Sequence, residues 1–273
     1  MVKSFKPTSG FLSKYIKGFS TFEKGSKLTI NFATFPHVGP ALALFKNARL
    51  EIKERHLNII PTKKNNFNTV VLGKYASPVF ITYNGYVDEM SINFTPLGIN
   101  YFFTDHYSKM APENFQKLRE QAWIEFVPKL FSTDDVGQQL ERLEDFLAGQ
   151  FRERHLDGLQ RCIDLFMDSE FDYKVADVIE RTGMNEKTMR RRFARFAGCS
   201  PVLFKRIVRF RNAIDVKRMN KKYDSFTRLC HDSHFYDSSH FGREYRLFTE
   251  RNPRSFFSGI SFLDNSEYPY FFL

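Results

Sequence analysis

Two stretches of this chain repeat one pattern, and that repetition limits the fold more than any other feature of the sequence. In each, a short apolar helix pattern leads to a turn and then to a capped helix with basic residues opposite its apolar stripe. The first copy runs from Val175, Ala176, Val178 and Ile179 through Thr182-Gly183-Met184 into a helix from Asn185 to Phe196. The second runs from Phe226, Leu229 and Cys230 to Asp237 and a helix from Ser238 to Phe248. Arg191 stands ten residues before Pro201, and Arg243 stands ten before Pro253. Short helix, turn and capped helix make a helix-turn-helix, and self-similarity at fixed offsets marks a repeated supersecondary unit.

The faces of the first capped helix follow from its spacing. Asn185 is a cap for the orphan amides of the first turn, while Met189, Phe193, Phe196 and Ala197 recur at helical intervals and need a core. At about 100° per residue, Lys187, Thr188, Arg190, Arg191 and Arg195 project to the other side, with Arg192 nearer the apolar edge. In the second copy Phe241, Tyr245 and Phe248 point inward and Ser239, His240, Gly242, Arg243 and Arg246 outward. Between the copies, Ser200-Pro201 caps and opens a helix whose Leu203, Phe204, Ile207, Val208, Phe210 and Ile214 run long enough to act as a spacer. Two such helices on one rigid spacer could enter successive major grooves of a duplex, about 34 Å apart.

A basic helix face is commonly just a solvated one. The distribution of charge argues for more. Between Glu186 and Lys222 there are 13 Lys and Arg against two acids, a local charge of +11, while the whole chain carries +10. The rest therefore sums to −1, which is a localised footprint for a polyanion.

The N-terminal part reads differently. From Lys27 to Phe103, short apolar runs at Leu28–Phe32, Ala41–Phe45, Leu50–Ile52, Thr69–Leu72, Val79–Tyr83 and Met90–Phe94 alternate with turn residues such as Pro36, Gly39-Pro40, Pro61, Gly73, Pro78, Gly85 and Pro96-Leu97-Gly98. Short strands at this spacing imply a small sandwich or barrel, which can hold a ligand in its mouth. His37, His56 and His106 are isolated, and no phosphate loop, nucleophile elbow, paired acids or catalytic triad appears, so no enzyme chemistry is expected. After Tyr101-Phe102-Phe103 the pattern becomes helical: Pro112-Glu113 opens a segment with Phe115, Leu118, Ala122, Trp123 and Phe126, ending before Pro128. A helix capped by Asp134 or Asp135 follows, with Leu140, Leu143, Phe146, Leu147 and Phe151. These two helices either pack on the first domain or form a seam between two copies of the chain. A third, with Leu156, Leu159, Ile163, Phe166 and Met167, leads into the first repeat.

No apolar window reaches a spanning length and the start lacks a signal-like h-region, so a cytoplasmic location is expected. Cys162, Cys199 and Cys230 are an odd number set in helical patterns, which implies buried reduced thiols. The tail from Ser258 to Leu273, ending Tyr268-Pro269-Tyr270-Phe271-Phe272-Leu273, is too oily to stay exposed and is expected to pack on a domain or a partner.

From about Leu156 to Phe257 the residues resemble the AraC-type (AraC/XylS family) transcriptional regulators, a bacterial family whose DNA-binding domain has two helix-turn-helix units joined by a long helix. The resemblance is carried by Ala176 and Gly183, Arg191-Arg192-Phe193, Gly198-Cys199-Ser200-Pro201, Phe204, Arg209 and Ala213. In the second unit it is carried by Phe235-Tyr236-Asp237-Ser238-Ser239-His240-Phe241-Gly242-Arg243-Glu244-Tyr245, Pro253 and Phe256. Ile92 to Gly98 looks like the end of the β-rich domain of one branch. Two positions depart: His234 and Glu250 stand where the family usually has glycine, and a non-glycine residue in a left-handed turn costs on the order of 1 kcal/mol.

The resemblance implies an α+β chain: a β-rich regulatory domain over 1–110, sandwich or barrel-like, a helical connector over 111–155, an all-α DNA-binding domain over 156–257 and an aromatic tail over 258–273. It implies sequence-specific binding of double-stranded promoter DNA by an activator, with RNA polymerase as partner, a small-molecule effector at the β-rich domain, and a homodimer as an open question. Lys187, Arg190, Arg191, Ser239, His240 and Arg243 then occupy base-reading positions, and Arg192, Arg195, Arg206 and Arg246 suit phosphates. Arg209 is expected to form an internal ion pair linking the units. No cofactor is implied. Two rival readings stand beside this one: a basic architectural protein without sequence preference, and a metal site built from Cys230, His231, His234 and His240, for which a fourth fixed ligand is not evident.

Overall fold

The computed structural model describes residues 2–22, 29–63, 65–219, 226–262 and 269–272. Lys27, Leu28, Lys222, Tyr268 and Leu273, named above, lie outside them. The first strands are β1 (Val2–Phe5), β2 (Ile16–Phe22), β3 (Thr29–Thr34), β4 (Ala41–Lys46), β5 (Ala48–Lys53) and β6 (His56–Pro61). Then come β7 (Phe67–Leu72), β8 (Val79–Asn84), β9 (Asp88–Phe94), the short helix α1 (Tyr107–Met110) and β10 (Phe115–Lys117). The helices that follow are α2 (Gln121–Leu130), α3 (Val136–Gln150), α4 (Asp157–Met167), α5 (Val175–Thr182), α6 (Glu186–Arg192), α7 (Pro201–Met219), α8 (Phe226–Asp232), α9 (Ser238–Thr249) and α10 (Pro253–Gly259). Two strands end the chain, β11 (Ile260–Phe262) and β12 (Pro269–Phe272).

The strands form two six-stranded sheets, ordered β1-β2-β9-β4-β7-β10 and β11-β12-β3-β8-β6-β5. Only the β6–β8 pair among these is parallel. The unbroken apolar run of β4 has a direct cause. Leu42 and Leu44 point into a cluster with Trp123, Val127, Leu143 and Leu147 of α2 and α3, whereas Ala43 and Phe45 point into the cluster between the sheets. A strand covered on both faces needs no polar alternation.

The same cluster takes up the connector helices. The stripes of α2 and α3 pack on the first sheet, with the Phe126 and Phe146 rings stacked at 3.8 Å. One boundary expectation is corrected. Pro112-Glu113 opens no helix; Phe115–Lys117 is an edge strand on β7, Phe115 is buried between the sheets, and the helix starts at Gln121 and runs through Pro128. Pairing with a distant strand outweighed the local helical spacing. The tail does pack on a domain: β12 pairs antiparallel with β3, joining Tyr270 to Thr34, Phe271 to Ala33 and Phe272 to Phe32.

Candidate nucleic-acid interface

Both repeats have the expected form. In the first, α5 ends at Gly183, whose φ of 64° makes the left-handed turn that glycine enters without a Cβ penalty. Asn185 Oδ1 then accepts from the amides of Lys187 at 2.9 Å and Thr188 at 3.4 Å, which starts α6. Met189, Phe193 and Ala197 are buried, and the helical path continues with wider turns through Phe193–Ala197. Lys187, Arg190, Arg191 and Arg195 are exposed. Glu186 pairs with Arg190 at 2.7 Å, one turn away on the open face. Arg192 is half-buried, and its Nη2 donates to the His155 carbonyl at 2.6 Å.

In the second repeat Asp237 Oδ1 accepts from the His240 amide at 2.6 Å and starts α9. Ser239, Arg243 and Arg246 are exposed, and Phe241, Tyr245 and Phe248 are buried. His240 differs from the outward placement expected for it. Its ring lies 5.6 Å from Phe235, its Nδ1 is buried without a hydrogen-bond partner among the described residues, and its Nε2 is 3.9 Å from Glu244. Both turns that depart from glycine are left-handed, with φ of 60° at His234 and 56° at Glu250.

The spacer α7 is buried on most sides, and this redistributes the charge footprint. Arg206 was expected at a phosphate, but Glu244 of α9 holds it in a bidentate pair, Nε to Oε2 at 2.8 Å and Nη2 to Oε1 at 2.9 Å. It thus makes the link between the units that was expected of Arg209. Arg209 makes no ion pair among the described residues; its guanidinium lies over the Phe235 ring and its Nε is buried without a partner. Lys205 is buried, 3.0 Å from Asp172 and donating to the Tyr173 carbonyl at 2.6 Å. Burial of Lys205 lowers its affinity for a proton while Asp172 opposes that shift. The open cations of the first repeat therefore concentrate on α6 and its extension, not along the spacer.

The β-rich domain is docked on the helical repeats, reaching the end of the first capped helix, where His106 lies beside Arg195 and Phe196. Ala33, Phe35, Val38 and Leu97 share one buried cluster with the helical repeats. Arg211 of α7 is buried and donates to the Phe35 and Pro36 carbonyls, both at 2.6 Å, while the Phe35 and Phe256 rings meet edge to face at 5.0 Å. Asn100 Nδ2 donates to the Phe196 carbonyl at 2.9 Å. At Gly198 (φ 70°) a Cβ would stand 2.8 Å from the Tyr107 ring, so only glycine allows both the turn and this approach. Sequence reasoning missed Arg211; its only local signal is a cation beside Phe210 on an otherwise apolar face.

The three cysteines are free and buried, and burial pushes each thiol up. The metal alternative does not assemble: Cys230 is buried with its thiol toward the Phe235 carbonyl, His231 is 91% exposed and His234 Nε2 donates to the Ser169 carbonyl. No cluster of three or more His, Cys, Asp or Glu suited to a metal occurs among the described residues. Among them, too, no helix is long and apolar enough to cross a membrane.

No family profile matches the sequence, and no curated protein matches it. Solved structures do resemble the chain. One is ToxT from Vibrio cholerae, 13% identical, covering 87% of this chain and 96% of its own with a TM-score of 0.47. Another is wild-type ToxT from the same organism with an unsaturated fatty acid bound, 14% identical, covering 86% of this chain and 96% of its own with a TM-score of 0.45.

Proposed function

We propose that this chain is a sequence-specific, double-stranded-DNA-binding transcriptional regulator of AraC type, an activator that lays α6 and α9 into successive major grooves. One observation carries the reading. Both repeats present a capped helix whose apolar side is buried against a common spacer and whose Lys187, Arg190 and Arg191, or Ser239 and Arg243, face solvent. Arginine paired with guanine is the commonest specific contact, so Arg190, Arg191 and Arg243 read bases. Arg195 and Arg246 reach phosphates, which set affinity and salt dependence without reading sequence. Arg192 supports the same edge from its seat on the His155 carbonyl.

The rest of the chain has its place in this reading. Residues 1–110 are the regulatory domain that takes an effector, 111–155 buttress it, 156–257 bind DNA and contact RNA polymerase, and 258–273 tie the last helix to the first domain. With the α2 and α3 stripes committed inside the protein, a homodimer uses another face. The test is fluorescence anisotropy on fragments identified by genome-wide mapping of bound sites in the bacterial cytoplasm. Arg191→Ala and Arg243→Ala are each expected to weaken binding about 5- to 150-fold, the 1–3 kcal/mol of a bidentate base contact, with the fold intact. Equal affinity for promoter and scrambled DNA would replace the regulator with a non-specific architectural protein. The same fragments upstream of a reporter distinguish activation from repression.

A further inference from the structure

Glu89 of β9 is a buried carboxyl with no cation beside it among the described residues. Its Oε2 accepts from the Tyr83 hydroxyl at 2.6 Å and its Oε1 from Ser91 Oγ at 2.7 Å. That is one neutral donor for each oxygen, where an ionised carboxylate offers about four acceptor sites. Burying a carboxylate without a counter-charge is costly. This one borders a cavity of about 100 Å³ between the two sheets, walled by Phe32, Phe45, Leu57, Ile59 and Ile81.

The cavity also touches Lys74, which would be the natural anchor for an acidic ligand, but Lys74 is committed elsewhere. Its Nζ donates to the His37 and Val38 carbonyls, both at 2.8 Å. The register also separates the two charges: Glu89 pairs with Phe45, Leu72 pairs with Ala41, and Lys74 lies two residues beyond Leu72. Four residues of strand set the level of Leu72 about 13 Å along β4 from that of Glu89, and Lys74 lies beyond Leu72 on the far side of β4. The Glu89 end thus offers an acceptor without a counter-ion, and the walls between offer hydrocarbon.

We propose that this cavity binds a small, slender, mainly apolar primary amine, with its ammonium on Glu89 and its chain among the inward-facing residues of the two sheets. At about 10–15 Å³ per water-sized group, the space admits about seven to ten heavy atoms. Its occupancy reaches the helical repeats through one loop. His37 and Gly39 line the cavity, and Phe35 and Pro36 of the same loop accept the Arg211 hydrogen bonds from α7. This second half rests on the regulator reading; the binding itself does not.

Calorimetry on the full chain with hexylamine, hexanol and hexanoate tests the binding. Hexylamine is expected to bind at least ten-fold more tightly than hexanoate. Glu89→Gln is expected to lose at least ten-fold for hexylamine and to leave hexanol unchanged, since only the ammonium needs the charge. On the unmutated chain, hexylamine should shift the methyl resonances of Ile59 and Ile81, a readout that needs no variant to fold. Hexanoate binding as tightly as hexylamine, an unchanged hexylamine affinity in Glu89→Gln, or unmoved Ile59 and Ile81 methyls at millimolar hexylamine would each overturn the site. For the coupling, hexylamine should change DNA affinity several-fold in the native chain and not in Arg211→Met, which still binds the amine. A DNA affinity indifferent to hexylamine refutes the coupling. Absence of any DNA binding, with the calorimetry intact, defeats the regulator reading and leaves the amine site in place.

Discussion

Replacing Arg206 by methionine separates a structural arginine from a DNA-binding one. The side chain of Arg206 is 29% exposed and that of Glu244 10%, so the pair lies between the two limits known for ion pairs. Removing one partner of a fully buried pair costs about 3–5 kcal/mol, and an exposed pair contributes about 0–1 kcal/mol. Arg206→Met is therefore expected to cost about 2 kcal/mol, most of it the penalty of leaving the Glu244 carboxylate under α9 without its two donors. Loss of the guanidinium stacked 5.5 Å over the Phe248 ring adds to this. Local opening is the right observable in a chain of more than one domain, and 2 kcal/mol means about 30-fold faster amide hydrogen exchange in α9. The double variant Arg206→Met with Glu244→Met should recover most of the loss, because two apolar side chains leave no stranded charge.

The salt dependence of DNA binding supplies the contrast. Each phosphate contact contributes about −0.9 to the slope of log K against log salt. Arg206→Met should leave that slope unchanged, whereas Arg195→Met, at an exposed position, should make it shallower by about 0.9 without altering exchange in α9. If Arg206→Met instead reduced the slope and left exchange untouched, the assignment of Arg206 to the linkage between the units would be wrong.

Glu89 ties stability to pH, because burial raises its pKa to about 7 from an ordinary carboxyl value, while Tyr83 and Ser91 only partly oppose the shift. The native state then keeps a proton that the unfolded chain releases, so stability falls as pH rises from about 4.5 to 7, by up to about 3 kcal/mol, and Glu89→Gln should flatten that fall in denaturation curves. Asn185→Ala and Asp237→Ala each remove a cap that satisfies backbone amides and should cost about 1 kcal/mol, read as faster exchange in the first turns of α6 and α9. Cys162, Cys199 and Cys230, buried with thiols pushed up, should react with a thiol reagent only after unfolding, and fast labelling of the native chain would contradict their placement.

What could be read from the sequence was local, and what escaped it was not. Caps at Asn185 and Asp237, the left-handed turn at Gly183 and the run from Ala41 to Phe45 all declare themselves within a few neighbouring residues, whereas the turns at His234 and Glu250 are marked only by the family resemblance. Among the strands that escaped the pattern reading are β1 and β6. Each is held by pairing: β1 through Val2 to Phe5 against β2, and β6 between β5 and β8, with Pro61 as its last residue. The interface suffered in the same way. Counting cations placed thirteen charges on one footprint, but Arg206 finds its carboxylate 38 residues away and Arg211 its Phe35 carbonyl 176 residues away. Net charge counts side chains, whereas the exposed field depends on which of them the fold has already paired.

The two departures from glycine show how a local cost can serve a distant contact. His234 and Glu250 hold backbone conformations that cost about 1 kcal/mol for a residue with a Cβ. Each has a side chain that reaches another element: His234 Nε2 donates to the Ser169 carbonyl, beyond α4 in the first repeat, at 3.0 Å, and Glu250 pairs with Arg55 in the turn between β5 and β6. Glycine would relax the turn and delete the strut. At Glu250 the pair is solvent-exposed and contributes about 0–1 kcal/mol, close to the strain it requires, so Glu250→Gly should change overall stability by less than about 1 kcal/mol in either direction. The effect should appear in docking. Protection of the turn around Arg55 and of the start of α10 should fall together, while α4 to α6 keep theirs. At His234 the strut ties the second repeat to the first, so His234→Gly should loosen the turn between α8 and α9 and leave the Arg55 turn protected. If both variants loosened the same residues, the turns would be acting through general destabilisation, and the two side chains would not be separate ties on the second repeat.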